Sequence, residues 1–235
     1  MEYPNQNAET AGTLSQVNLS AYMTRVFGWM TLALTLTGLT AMLVASTPAL
    51  INIFLGNKIL FYGLIIGQVL LVGALVGFVN KIPAWAATLV FLGYSVLNGL
   101  TLSVLFLVFT ASSIALVFFI TAGTFGFMVA YGYFTNRDLT SVGNLMFMGL
   151  IGVLIASLAN LFMQSETLYW IISYVGVFVF IGLTAYDAQK IKQQALMMNH
   201  DSETSQKGAI MGALTLYLDF INLFIFLLRI FGSRK

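Results

Sequence analysis

The stretch that decides the fold covers residues 82–136 and reads IPAWAATLVFLGYSVLNGLTLSVLFLVFTASSIALVFFITAGTFGFMVAYGYFTN. It contains no Asp, Glu, Lys or Arg, and it lies between Lys81 and Arg137. A helix needs about 20 apolar residues to cross the hydrocarbon core of a bilayer, so this run is long enough for two such helices. The polar segment TASS at 110–113 is the predicted turn between them.

The composition of the whole chain agrees with two membrane helices in that stretch. Of 235 residues, 59% are hydrophobic and 8% are charged, with a mean hydropathy of +0.93. A soluble domain carries about 25% charged residues, so a soluble enzyme and a disordered regulator are both excluded. The ten basic residues form no run that could follow phosphates, which excludes a nucleic-acid binder. Without cysteines and with one histidine, the chain offers no disulfide, thiolate site or histidine-rich metal cage.

We therefore predict an all-α polytopic membrane protein with seven transmembrane helices, the last of them central to the bundle. A β-barrel is excluded because no segment alternates apolar and polar residues with a period of two. Residues 1–20 are predicted to form a polar, disordered N-terminal tail, and residues 21–235 a single transmembrane domain. The predicted spans are 26–46, 59–79, 84–108, 113–134, 143–163, 168–190 and 208–230.

The distribution of Lys and Arg predicts the orientation, because cytoplasmic loops carry an excess of both. A cytoplasmic N-terminus leaves Lys58 as the single basic loop residue outside. The basic residues placed inside are then Arg25, Lys81, Arg137, Lys190, Lys192 and Lys207. Basic residues at the C-terminus oppose this orientation, but the loops outnumber them. We predict that the N-terminus is cytoplasmic and the C-terminus outside.

Asp219 is the acid that the sequence places at membrane depth. It lies near the middle of the predicted span 208–230, where a carboxylate costs roughly 2.5–3.5 kcal/mol to insert and is usually functional. Helical spacing puts several small or polar residues on the same face of that helix. They are Gly208, Gly212, Thr215, Asn222 and Arg229. The alternative is a protonated, hydrogen-bonded acid that only holds helices together.

The second acid, Asp187, lies at the end of the predicted span 168–190, with Thr184 on the same helix face. Extending this helix towards Met198 would bring Asp187 level with Asp219. Two carboxylates in a low-dielectric site cannot both ionise cheaply, so such a pair shares a proton. The pair could be a proton-sensitive latch, a cation site or a catalytic dyad. Alone, Asp187 could equally be a surface acid at a helix end.

A catalytic dyad would resemble the intramembrane aspartyl proteases, which place Tyr-Asp on one helix, Gly-x-Gly-Asp on the next, and a Pro-Ala-Leu motif elsewhere. The pair Tyr186-Asp187 fits the first element. The second element is missing, because residues 216–218, which precede Asp219, read LYL and contain no glycine. The PAL sequence at 48–50 falls before the second span. Protease activity is therefore a remote alternative, and we expect the protein not to be an enzyme.

Two glycine pairs with a spacing of four residues stand in the second predicted span. They are Gly63 with Gly67 and Gly73 with Gly77. Small residues at this spacing let transmembrane helices approach closely, so the predicted role of these glycines is helix packing, with easier movement of that helix as the alternative.

The C-terminal third carries a recognisable pattern. It reads GLTAYDAQKI at 182–191, GALTLYLDFINLF at 212–224 and LLRIFG at 227–232. With seven spans and the loop sequence RDL at 137–139, the chain resembles the Bax inhibitor-1 (transmembrane BAX inhibitor motif) family. It is most similar to prokaryotic members, because it has no long basic cytosolic tail. The resemblance implies a multi-pass protein of the bacterial inner membrane.

The resemblance also implies a calcium-permeable leak pathway that is gated by pH through two buried aspartates. These correspond to Asp187 and Asp219 in this chain. Prokaryotic members use an arginine at the cytoplasmic end of the second helix as a latch against the aspartates. The equivalent region here reads Asn80-Lys81, so Lys81 is the candidate latch or counter-ion. A lysine cannot bind a carboxylate through two parallel hydrogen bonds as an arginine does.

Calcium takes six to eight oxygen ligands, more than two carboxylates supply. The supporting polar residues are Thr184, Tyr186, Thr215 and Asn222. With them the pair would make a weak and transient calcium site, which suits conduction because the ion must also leave. We expect no cofactor, and the expected partners are the lipid bilayer, calcium ions and protons.

A second hypothesis comes from a different functional class. Members of the resembled family are also associated with protection against cell death and with binding of other membrane proteins, such as a quality-control protease. The chain could therefore be an intramembrane regulator. The polar N-terminal tail, residues 1–20, is the candidate docking element for such a partner.

Overall fold

The computed structural model describes the backbone of residues 6–197 and 203–235, and the side chains of residues 19–197 and 203–235. These residues form eight α-helices and no strand. In chain order the helices are Gln6–Ser46 (α1), Pro48–Phe54 (α2), Lys58–Phe78 (α3), Ala84–Val108 (α4), Ala111–Phe134 (α5), Thr140–Met163 (α6), Glu166–Met197 (α7) and Glu203–Phe231 (α8). All but α2 are long and apolar enough to cross a membrane, so the predicted seven-helix architecture is confirmed.

The predicted spans agree with the helices to within a few residues, except at two helix ends. The membrane-crossing part of α1 is Leu19–Ser46, which begins earlier than the predicted start at residue 26. α7 continues to Met197, beyond the predicted end at residue 190, and this is the extension that would bring Asp187 level with Asp219. Proline explains several of the breaks: Pro48 holds Thr47 in an extended conformation and so ends α1, and Pro83 precedes α4.

The predicted N-terminal tail differs from the structure over most of its length. From Gln6 onward its backbone is helical and continuous with α1, whereas residues 1–5 lie outside the described residues. Residues 6–18 contain no proline and a single glycine. Their sequence therefore allows α1 to begin before the part of the helix that can cross the membrane.

The last helix lies at the centre of the bundle, as predicted. α8 packs against α1, α4, α5 and α7, and most of its length is buried, including the fully buried Leu216, Tyr217 and Leu223. By contrast α3 and α6 are exposed along most of their length. α3 has a higher mean hydropathy than α8, so hydrophobicity does not decide which helix is central. In a bilayer an exposed helix is in contact with lipid, which accepts apolar side chains as readily as the protein core does.

Helices approach one another closely at glycines other than those predicted. Among the described residues, no atom outside the adjacent residues and the helix's own backbone lies within 4 Å of the position that a Cβ would take at Gly63, Gly67, Gly73 or Gly77, so the packing role predicted for these four is wrong. Most of the close contacts involve α7 instead, and Gly99 of α4 lies against the Thr37 carbonyl of α1. A Cβ at Gly132 of α5 would collide with the backbone carbonyl of Ala185.

Replacing Gly132 with alanine should therefore destabilise the protein, because the Ala185 backbone cannot move aside as a flexible side chain can. We expect Gly132→Ala to lower the free energy of unfolding in detergent by about 1–3 kcal/mol, the usual cost of overpacking. Gly63→Ala is the matched control and should be neutral or stabilising, because its methyl group enters open space and alanine favours helix. Equal stability of the two variants would contradict the close α5–α7 contact.

Candidate functional site

The two predicted aspartates lie together where α7 packs on α8. Their side chains are close enough to interact directly across this interface. Asp219 is 4% exposed, whereas Asp187 is half-buried. Among the described residues, Oδ2 of Asp219 has no hydrogen-bond partner although it is buried. The site therefore presents one carboxylate oxygen that lacks a protein donor, next to a second carboxyl group.

The last turns of α7, which carry Asp187, are fixed by two side chains that the sequence analysis did not single out. Gln189 Nε2 donates to the Arg137 carbonyl (2.8 Å), and Gln189 Oε1 accepts from the Leu139 N–H (2.9 Å). Lys192 Nζ donates to the Tyr133 carbonyl (2.6 Å) at the end of α5 and lies 5.0 Å from the centre of the Tyr133 ring. The α5–α6 loop is thereby attached to the helix that positions Asp187.

The cation that acts on Asp187 belongs to α7 itself. Lys190, three residues further along the helix, interacts electrostatically with Asp187, and its Nζ lies 5.7 Å from the centre of the Tyr186 ring. Lys190 is exposed, so water screens much of its effect. Tyr186 in turn packs against Gly143 of α6.

Lys81, the candidate latch, lies in the turn between α3 and α4 and is exposed. Its Nζ stands 5.3 Å from the centre of the Phe78 ring. Within the described ranges it forms no ion pair with Asp187 or Asp219. As a latch against the aspartates, Lys81 stays a prediction.

The turn that carries Lys81 is nevertheless attached to α8. Glu203, the first residue of α8, accepts a hydrogen bond from the Ala84 N–H (3.0 Å) at the start of α4. Pro83, the residue before α4, has no side-chain donor or acceptor to cap that helix, and the carboxylate of Glu203 takes this role. Lys207 pairs with Glu203 at 3.3 Å.

Three of the four supporting polar residues hydrogen-bond within their own helix. Thr184 donates to the Phe180 carbonyl (2.7 Å), Thr215 to the Met211 carbonyl (3.0 Å) and Asn222 to the Leu218 carbonyl (2.8 Å). Donating in this way satisfies the hydrogen atom of each hydroxyl and leaves its oxygen lone pairs able to accept or to coordinate.

A buried hydrogen-bond network around Tyr217 of α8 was missed by the sequence analysis. The Tyr217 hydroxyl lies 2.7 Å from Thr37 Oγ1 of α1 and accepts from Asn98 Nδ2 of α4 (3.0 Å). Thr37 also donates to backbone carbonyls, among them that of Ser95 (2.8 Å), so the Tyr217 O–H is the donor to Thr37. These bonds connect α1, α4 and α8 two residues before Asp219.

The same network extends to α3. Gln68 Nε2 donates to the Leu97 carbonyl (2.8 Å) and to Thr101 Oγ1 (3.1 Å), and Thr101 donates to the Asn98 carbonyl (2.9 Å). The signal available in the sequence was that Thr37, Gln68 and Asn98 are polar residues inside otherwise apolar spans. Such residues face the interior of the bundle and bind one another.

Tyr217→Phe should weaken the bundle, because it leaves Asn98 and Thr37 without their buried partner. We expect a loss of about 1–3 kcal/mol in the free energy of unfolding, the cost of an unsatisfied buried polar group. Tyr62→Phe in α3 removes the same hydroxyl from an exposed ring and should leave stability unchanged. Both can be measured by unfolding in mixed detergent micelles, and a neutral Tyr217→Phe would show that the network contributes nothing.

The described part of the chain contains no group of three or more His, Cys, Asp or Glu residues that could hold a metal ion. A cation at the aspartate pair would therefore have two carboxylates at most, and its remaining ligands would be hydroxyl, carbonyl or water oxygens. This arrangement suits a weakly held, exchanging ion rather than a resident one.

Comparison with known proteins gives the family. A family model described as "Inhibitor of apoptosis-promoting Bax1" matches residues 19–235. The inner membrane protein YbhL of Escherichia coli K12 is 49% identical over 221 residues, which cover 94% of each chain. An uncharacterized protein of Borreliella burgdorferi is 44% identical, over 91% of this chain and 92% of its own. An uncharacterized membrane protein of Streptococcus pyogenes serotype M6 is 36% identical, over 94% and 96%. The chain is thus a multi-pass membrane protein that belongs to the Bax inhibitor-1 family.

Proposed function

We propose that this protein is a proton-sensitive cation leak channel or exchanger, that calcium is the ion, and that it is not an enzyme. Asp187 and Asp219 are the proton sensor and part of the ion pathway. The observation that carries the proposal is the contact between these two carboxyl groups, with Oδ2 of Asp219 buried and without a donor in the described structure.

The proposed sensor works through the charge of the pair. While the two carboxyl groups share one proton, they carry one negative charge and can remain together. Loss of that proton leaves two negative charges, whose repulsion is about 4 kcal/mol at about 4 Å and an effective dielectric constant of about 20. A cation relieves this repulsion, so protons and cations compete, and a lower pH disfavours cation binding.

The supporting residues set the strength of the proposed calcium site. The groups proposed to add to its coordination lie within one helical turn of the aspartates along α7 and α8. They are the hydroxyl oxygens of Thr184 and Thr215 and the side chains of Tyr186 and Asn222. Calcium takes six to eight oxygens, so water must complete the shell. Such a site binds weakly, as conduction requires.

Lys81 is the proposed counter-ion that competes with the cation. Its turn is attached to the start of α8, the helix that carries Asp219, through the bond between Ala84 and Glu203. An ammonium group that swings to the pair would neutralise the one negative charge of the proton-sharing state, or offset one of the two charges of the deprotonated state, without a metal ion. The ammonium group of a lysine acts as a point charge, so it orients a carboxylate less strictly than the planar guanidinium group of an arginine does.

The orientation that we propose has the N-terminus in the cytoplasm and the C-terminus outside, in the bacterial inner membrane. Seven spans put the ends of α3, α5 and α7 on one face of the bundle, together with Lys81, Arg137 and Lys192. This basic face would be cytoplasmic by the positive-inside rule. Asp187 would then open towards the cytoplasm.

The packing before Asp219 favours this function over proteolysis. Leu216 and Tyr217 are fully buried, so an extended substrate has no free backbone to pair with at this position. Residues 48–50 lie at the start of α2, which by the count of spans is on the face opposite to Asp187.

The test is calcium flux in proteoliposomes across a series of pH values. We expect the flux of the wild type to change with pH, and Asp219→Asn and Asp187→Asn to abolish that change, because a lone carboxylate has no partner with which to share a proton. Asp138→Asn is the matched control. Hydrogen bonds from Thr140 hold the pKa of Asp138 below its usual range, so this exposed acid stays ionised across the assay and cannot supply the response. An unchanged pH dependence in Asp219→Asn would contradict the proposal.

A second candidate function is regulation of another membrane protein, and the description of the matched family, an inhibitor, favours it. The helical extension 6–18, which precedes the membrane-crossing part of α1, is the proposed docking element. If this function holds, deletion of residues 1–18 should abolish capture of membrane proteins by the purified chain and leave calcium flux intact. Retained capture after the deletion, or loss of flux with it, would contradict the docking role.

A further inference from the structure

Two adjoining cavities open at the end of the bundle where α8 finishes. Their volumes are about 490 and 180 Å³, and both are lined by Asn160, Tyr169 and Arg229. The larger one is within the usual size range of small-molecule sites. Arg229 lies ten residues beyond Asp219, about 15 Å further along α8, so these cavities are separate from the aspartate pair.

Arg229, which lines both cavities, lies close to two aromatic rings. Its Cζ lies 5.6 Å from the centre of the Tyr169 ring and 5.2 Å from that of Phe226. Aromatic rings attract the charge of a guanidinium group without taking up all of its N–H donors, which remain able to bind a ligand.

No carboxylate neutralises this arginine among the residues that the structure describes. Glu166 lines the larger cavity but pairs with neither Arg229 nor Arg234. A half-buried charge without a counter-ion is costly, which calls for an anion from outside the protein.

A second guanidinium is fixed at the same cavity by the C-terminal segment. Arg234 donates to the Tyr169 hydroxyl (3.4 Å). The residues on either side of Arg234 are bound to the α4–α5 connection: the Thr110 N–H donates to the Ser233 carbonyl (3.0 Å), and the Lys235 N–H to the Val108 carbonyl (2.9 Å). Tyr169 therefore links both arginines, one through its ring and the other through its hydroxyl.

The position of the cavity indicates the source of the anion. α8 ends at Phe231, and the exposed Trp170 stacks on Tyr174 next to the cavity, as aromatic residues do at the membrane–water interface. The abundant anion at that depth is the phosphate of a phospholipid. Arginine binds phosphate through charge-assisted, two-pronged hydrogen bonds.

We propose that this cavity binds the headgroup of an ethanolamine phospholipid. Arg229 and Arg234 bind its phosphate, and Glu166 at the rim binds its ammonium group. A headgroup with a negative charge only would be repelled by Glu166, so the mixed lining of the cavity favours a zwitterionic ligand.

The test is native mass spectrometry of the detergent-purified full chain with added phosphatidylethanolamine or phosphatidylglycerol. We expect phosphatidylethanolamine to be retained preferentially, and Arg229→Gln to reduce its retention about tenfold, the loss that accompanies a charge-assisted hydrogen bond. Lys58→Gln is the matched control, because it removes an exposed charge from the same face of the bundle and should change nothing. Glu166→Gln should shift retention towards phosphatidylglycerol.

A second variant and a second readout guard against misfolding of Arg229→Gln. Arg234→Gln changes a residue beyond the end of α8 and should also reduce retention, while added phosphatidylethanolamine should raise the melting temperature of the wild type but not of either variant. Equal retention in wild type and both variants would overturn the proposal. Binding of inorganic phosphate in lipid-free detergent, lost in Arg229→Gln, together with no lipid retention, would overturn the lipid assignment.

Discussion

Hydrocarbon offers no hydrogen-bond partner, and this constraint acts most strongly on α8, which carries Asp219 at membrane depth. A carboxylate that faced lipid there would cost several kcal/mol, so the helix must be enclosed by protein. α1, α4, α5 and α7 enclose it. The polar groups that these neighbours bring, such as Asn98 and Thr37, are satisfied by Tyr217 on the same helix. The architecture is thus organised around the polar residues of α8 rather than around its apolar ones.

The need for hydrogen-bond partners is also seen in how the bundle is held at its two ends. At the start of α8, Glu203 caps α4, whose own preceding residue is a proline. At the other end, residues after Phe231 bond to the α4–α5 connection. The two ends of α4 are therefore tied to the two ends of α8, with Asn98 and Tyr217 joined between them. These bonds fix the position of α8 along the membrane normal at three levels.

The sequence was sufficient for the spans and the aspartate pair, because both depend on local properties. Long neutral runs reveal membrane helices, and an acid inside such a run has few explanations. The depth argument also required an extension of this helix towards Met198 to bring the two acids level, and α7 does continue to Met197. The Tyr217 network could not be derived in the same way, because it joins residues 119 and 180 positions apart. The packing role of the glycine pairs of α3 was predicted wrongly. A spacing of four residues shows that one face of the helix carries small residues, but it does not show whether another helix packs against that face. No pattern in the sequence indicates that Gln189 would bind the backbone at Arg137 and Leu139.

The two helices of the aspartate pair are held by contacts of different kinds, and this bears on which one could respond to a change of charge. α8 is fixed to α1 and α4 by directional hydrogen bonds through Tyr217, which fail if the helix shifts by a fraction of an ångström. α7 meets α5 and α6 at small residues, Gly132 and Gly143, where backbone and ring surfaces lie against each other without hydrogen bonds. Lys192 and Gln189 bind the end of α7 to the end of α5 and to the loop beyond it. Repulsion between the two carboxylates would therefore displace α7 together with that loop, and leave α8 in place.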